Sequence, residues 1–121
     1  MPMRFPVAML LAFAMGQASE PGVAQSPPIQ SYGFYSESCS TWTAELPRRT
    51  TVRAQAQSWW VLGFVSGASA IFASERGVAM APSDTEGITG WITKYCSEHP
   101  RESIPTAATK LVGELRSRGP R

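Results

Sequence analysis

Few side chains in this 121-residue chain could do chemistry, and the first pair to consider is Cys96 and His99, three positions apart. A thiolate beside an imidazole is a nucleophile with its base, provided the thiol is free and a third group orients the ring. The competing arrangement joins Cys96 to the only other cysteine, Cys39, 57 positions upstream, and leaves no nucleophile. One histidine and two cysteines cannot complete a four-ligand zinc site without carboxylates at a supporting spacing, and none has that spacing. The carboxylates Glu37, Glu45, Glu75, Asp84, Glu86, Glu98, Glu102 and Glu114 fall mostly on the polar faces of predicted helices or in loops, where solvation is their ordinary role. His99 precedes Pro100 at a predicted helix end, a place where an imidazole serves as a cap. There is no Gly-x-Ser-x-Gly elbow, phosphate loop or dinucleotide fingerprint. The expectation is a protein without catalytic residues, metal or cofactor.

Charge points to no partner either. Eleven Lys and Arg against nine Asp and Glu leave +2, scattered along the chain, which is no footprint for nucleic acid. The N-terminus carries more information. Arg4, the apolar run over residues 5–15 and the small residues around Ala18 have the three regions of a secretory signal peptide, with cleavage expected after Ala18 or Ala24. Eleven apolar residues are too few to span a bilayer, which takes about 20. The expected product is exported and soluble, with no stable membrane insertion. In an oxidising compartment an even pair of cysteines favours a bond, so Cys39–Cys96 is the expected disulfide. Closing a loop of that length stabilises a fold by roughly 4 kcal/mol on the chain-entropy account.

The elements that must position these residues are helices. Residues 1–24 form the signal and cleavage region, 25–35 a Pro-containing flexible leader, 36–117 the helical domain and 118–121 a tail. Cys39, Trp42 and Leu46 form the stripe of a short helix over 38–46, stopped by Pro47. A helix over 51–74 follows, with no charge for twenty-one positions between Arg53 and Glu75. Its length of uncharged chain invites a transmembrane reading, but the gap holds Gln55, Gln57 and four serines, and a buried central helix accounts for it better. Gly63 and Gly67, one turn apart, predict a flat strip for close packing against another helix, since each glycine otherwise costs about 1 kcal/mol there.

Residues 75–83 then read as a loop, and either a Ser83/Glu86 capping box or Asp84 alone starts a helix over 84–98. Ile88, Trp91, Ile92 and Tyr95 give that helix its apolar side, with Cys96 next to them. A last helix over 103–116 tolerates Pro105 in its first turn and turns Ile104, Ala107, Ala108, Leu111, Val112 and Leu115 inward. No segment sustains period-two alternation, so no strand is expected beyond a short aromatic piece near residues 32–35. The fold class is therefore all-α, a small four-helix disulfide-stapled bundle. Four tryptophans exceed what a core of this size needs. Trp59 and Trp60 point about 100° apart, so either one is covered while the other reaches a partner or both are covered by the disulfide-linked first helix. Together with Phe64 and Trp91 they form the candidate client or partner surface.

The spacing Cys39-x-x-Trp42, Trp60-x-x-Gly63-Phe64-x-Ser66-Gly67, Gly87-x3-Trp91-x3-Tyr95-Cys96-x3-Pro100 and Ala107-x3-Leu111-x3-Leu115 resembles small exported proteobacterial proteins grouped with the HdeA/HdeB acid-stress chaperones. The same C-terminal half is also similar to periplasmic immunity proteins that neutralise type VI secretion amidases. The first resemblance implies a periplasmic helical protein, homodimeric when inactive, that loosens in acid and binds unfolded clients through apolar surface. From Gln25 onward, ten basic and eight acidic residues give +2, and protonating the carboxylates and His99 raises this to +11. Self-repulsion on that scale favours opening. The second resemblance implies a module that blocks a partner enzyme, with the loop over 75–83 as its projecting element.

Overall fold

The computed structural model describes residues 37–119 continuously, together with Pro2, Pro27, Gln30, Tyr32 and Gly33. The expected signal region, most of the leader, the aromatic piece near 34–35 and the last two residues of the tail lie outside the described residues.

Four helices follow in order: α1 (Cys39–Thr43), α2 (Val52–Arg76), α3 (Thr85–Glu98) and α4 (Ile104–Arg118). Among the described residues there is no strand, only an isolated antiparallel bridge between Ser38 and Ser103. The all-α expectation is met, and so is the staple: Cys39 and Cys96 are bonded, with their Cα atoms 4.6 Å apart. Side chains begin three of the helices, each satisfying a backbone N–H that the first turn leaves without a partner. Thr51 accepts from Ala54, Asp84 from Gly87 and Ser103 from Thr106. Of the two starts the sequence allowed for α3, Asp84 is the cap. His99 ends α3, its backbone N–H donating to the Tyr95 carbonyl. Gly77 ends α2 at φ 60°, a left-handed conformation that costs glycine nothing.

Helix ends differ from expectation in α1, α2 and α4, the last running to Arg118, past the expected 116 and into the expected tail. Helix α1 stops at Thr43 rather than 46, and Leu46, expected on its apolar stripe, lies beyond it, outside the buried core and 37% exposed. Glu75 and Arg76, expected in a loop, close the last turn of α2. The loop after them is tied down: Ala81 N–H donates to the Leu115 carbonyl at 2.9 Å, and Met80 and Ala81 pack on the core.

The core draws on every helix. Cys39 and Trp42 from α1, Val61 and Val65 from α2, Ile88, Ile92 and Cys96 from α3, and Ile104, Ala107, Leu111, Val112 and Leu115 from α4 form one buried cluster. Trp42 is wholly buried and its indole N–H donates to Thr93 Oγ1 at 2.9 Å, so its polar edge is satisfied where water cannot reach. A five-residue helix cannot persist alone. Backbone bonds from Cys39 to Glu102, from Ser40 to Pro100 and from Ile104 to Glu37 hold α1 beside the α3–α4 turn.

The largest correction concerns α2. It is not a central helix surrounded by protein. Its inward line is Ala54, Gln57, Val61 and Val65, packed against α4 and, less extensively, α3. Gly63 and Gly67 stand on the opposite side, exposed, and a Cβ built on either finds nothing within 4 Å. No described helix crosses them. Apolar residues are spread almost evenly around α2, whereas α3 and α4 are one-sided, so the pattern alone does not say which side turns inward.

What fixes the rotation of α2 is a polar network. Gln57 is fully buried; its amide nitrogen donates to Glu37 and to Thr41 Oγ1, and its amide oxygen accepts from Arg49 at 2.8 Å. The Arg49 guanidinium lies 3.4 Å over the Trp42 ring and also donates to the carbonyls of Trp42 and Ala54 and to Ser58 Oγ. Among the described residues no buried side-chain polar atom lacks a partner. A network satisfied to that degree specifies one rotation, because turning α2 would strand several buried donors.

Candidate functional site

The outward side of α2 is built from Val52, Ala56, Trp59, Gly63, Gly67 and Ala70, which follow one another at three- and four-residue steps and so share a line on the helix. Ala56 is half-buried and the others are exposed, Val52 at 87% and Trp59 at 71%. Ile71, 54% exposed, borders the line on the α4 side. A 25-residue helix is about 37 Å long, and here its solvent side carries no charge between Arg53 and Glu75. Arg53 at one end is engaged by Glu37 at 2.6 Å.

Trp60 lies one residue round the helix and is half-buried. Its indole N–H donates to the Tyr32 carbonyl at 2.6 Å and its ring stacks on Phe64 with centroids 5.3 Å apart. Gly33, at φ 84°, passes close to the indole: a Cβ there would sit 3.5 Å from Trp60 Cδ1. Together Gln30, Tyr32, Trp59, Trp60, Gly63 and Phe64 bound a shallow cavity of about 370 Å³. The structure thus brings three of the four expected surface residues together, with Trp59 outward and Trp60 partly covered.

Trp91 is placed elsewhere. It stacks on Tyr95 at 5.2 Å, Tyr95 stacks on His99 at 4.3 Å, and its indole N–H donates to Glu114 at 2.6 Å. It borders a separate cavity of about 340 Å³ with Lys94, Tyr95, Glu98, Glu114 and Arg118. The charges around that cavity are already paired, Lys94 with Glu98 at 2.9 Å and Arg118 with Glu114. The Lys94 ammonium, through its hydrogen bond first and its charge second, holds the Glu98 carboxyl below its ordinary pKa. The Tyr95 hydroxyl donates to Glu102, and that bond to a carboxylate, aided by partial burial, pushes the phenol up to about 12.

The thiol–imidazole reading is closed by the disulfide, since Cys96 is bonded to Cys39. His99 sits at the end of α3 with Nδ1 3.0 Å from the Tyr95 carbonyl, a capping position. Among the described residues no three His, Cys, Asp or Glu side chains converge as a metal site would require. No described helix is long and apolar enough to cross a membrane. Arg49, the hub of the buried network, was not singled out by any sequence pattern; burial lowers its pKa, and Glu45 opposes that shift. Compared with protein-family models, with curated proteins and with solved structures, the chain matches none.

Proposed function

We propose that this is an exported, non-catalytic helical protein that holds polypeptide partners along the outward side of α2. Unfolded clients in acid, as implied by the likeness to the acid-stress chaperones, are the occupants that fit best. The observation that carries the reading is the uncovered line from Val52 to Ala70, anchored by Trp59 and free of charge between Arg53 and Glu75. An exposed neutral strip of that length is costly in a protein that remains monomeric and idle, and such strips mark interaction surfaces. Its shape favours a polypeptide: small residues let a partner backbone approach closely, and a tryptophan at one end supplies a large contact area. A second copy of the chain is among the partners this side accepts. Acid supports opening through the rise in net charge from +2 to +11.

The test is light scattering of an acid-sensitive client taken to pH 2–3 and returned to neutral, with and without the oxidised protein. Suppressed aggregation is expected, weakened in Trp59→Ser, whose helical content should be unchanged because the ring is mostly in water. The Cys39→Ser/Cys96→Ser double variant should protect less, because the opened chain is no longer closed on itself. A protein that keeps its helices at pH 2, binds no apolar dye and leaves client scattering unaltered refutes the proposal.

A further inference from the structure

A second feature lies on the α4 flank of α2. Phe64, Ala68, Ile71 and Phe72 from α2 face Val112 and Gly113 from α4 across a groove of about 420 Å³. The residues from Phe64 to Phe72 span about 12 Å along the helix, so the groove is elongated. One cation stands at its end. The Arg116 guanidinium lies 4.1 Å over the Phe72 ring, and no carboxylate among the described residues forms an ion pair with it. Thr109 Oγ1, toward the other end, is already bonded to the Pro105 carbonyl. The floor thus offers hydrocarbon contact and little else, and the remaining unmet group is a positive charge.

Gly113 keeps the groove open. It is in the interior of α4, where glycine disfavours the helix relative to alanine, yet a Cβ on it would meet nothing within 4 Å. Its φ is not in the left-handed region, so neither backbone geometry nor packing within the chain calls for glycine there. Any larger side chain would occupy the groove instead.

We propose that this groove binds a single-chain fatty carboxylate, its hydrocarbon tail along Phe64, Ala68 and Val112 and its carboxylate at Arg116. An apolar trough with one unpaired guanidinium at its end complements a molecule that is apolar along its length and anionic at one terminus. The proposal does not rest on the polypeptide reading: it needs no acid and uses the α4 side of α2, meeting the outward surface only at Phe64 and Ile71.

The experiment is calorimetric titration of the purified oxidised protein with sodium dodecanoate, kept below its micelle-forming concentration. Saturable binding is expected, with affinity falling about fourfold for each methylene removed when decanoate replaces dodecanoate. Gly113→Leu should abolish binding while retaining or raising the thermal midpoint, and Gly90→Leu, an equally unobstructed glycine on α3, should leave binding unaltered. Arg116→Gln should weaken dodecanoate about tenfold and leave dodecanol unaffected. Absence of saturable binding, or equal binding by Gly113→Leu, overturns the site. Equal affinity for dodecanol and dodecanoate, with no effect of Arg116→Gln, overturns the assignment of the ligand as an anion.

Discussion

Replacing Gly63 and Gly67 by alanine tests the orientation of α2 directly, because the two possible rotations predict opposite signs. With both glycines facing water and nothing within 4 Å of an added Cβ, each substitution removes only the conformational freedom that glycine gives the unfolded chain. That is worth about 0.5–1 kcal/mol per site in a helix interior. Each added methyl meets only open space, so the pair together should give roughly 1–2 kcal/mol of stabilisation. For a domain of this size a gain of 1 kcal/mol raises the thermal midpoint by about 4–8 °C. Urea unfolding followed by circular dichroism gives the same quantity through the midpoint, with an unaltered slope showing that the folded surface has not changed. Had the glycines been at a helix crossing, two added methyl groups would wedge the helices apart and cost about 1–3 kcal/mol each. A double variant less stable than the parent therefore refutes the outward placement, and with it the uncovered strip.

Two further outcomes follow from the buried network and the aromatic ladder. Arg49→Met should destabilise the fold by about 2–4 kcal/mol in urea unfolding, because it leaves the buried Gln57 amide oxygen without its donor and takes one donor each from the Trp42 and Ala54 carbonyls, which keep the Glu45 N–H and the Ser58 hydroxyl; a loss below about 1 kcal/mol would show the network to be incidental. The Tyr95 phenol should titrate near pH 12 by its ultraviolet difference spectrum and fall toward 10 in Glu102→Gln. Since its folded-state pKa is raised, the stability it contributes is present in full below about pH 10 and is lost as the pH rises through 12. An unshifted Tyr95 midpoint in Glu102→Gln would place the cause elsewhere.

Much of the fold was legible because its signals are local. A cap at Ser83 or Asp84, Pro105 in a first turn and the one-sided patterns of α3 and α4 each act within one or two turns; the structure takes Asp84 of the two caps and has the rest where the sequence put them. The Cys39–Cys96 pairing was legible because an even count leaves one way to pair. The rotation of α2 was not. Its Gly63/Gly67 strip and its inward line of Ala54, Gln57, Val61 and Val65 are both plausible buried faces, and only contacts across some eight to twenty residues, from Glu37 and Arg49 to Gln57, choose between them. Leu46 misled for a related reason: three apolar residues fit a helical stripe, but the helix ends at Thr43 before reaching the third. The candidate surface was legible in part. Trp59, Trp60 and Phe64 are close in sequence and so close in space, whereas Trp91 belongs to a different helix whose neighbours are Tyr95 and Glu114.

The position of the disulfide also sets how the protein transmits tension. Helix α2 and nearly all of α3 lie inside the 57-residue loop that Cys39–Cys96 closes, while α4 lies outside it. A pull on the two chain ends runs from residue 39 straight across the sulfur bridge to residue 96 and then into α4, so α2 carries none of the load through its own backbone. About 190 Å of contour, the loop stretched at roughly 3.3 Å per residue, stays hidden from an applied force however completely the helices melt. The surface strip on α2 is thus carried on a slack closed loop, and it can come apart and re-form while the end-to-end reach of the protein is set by the short segments outside it.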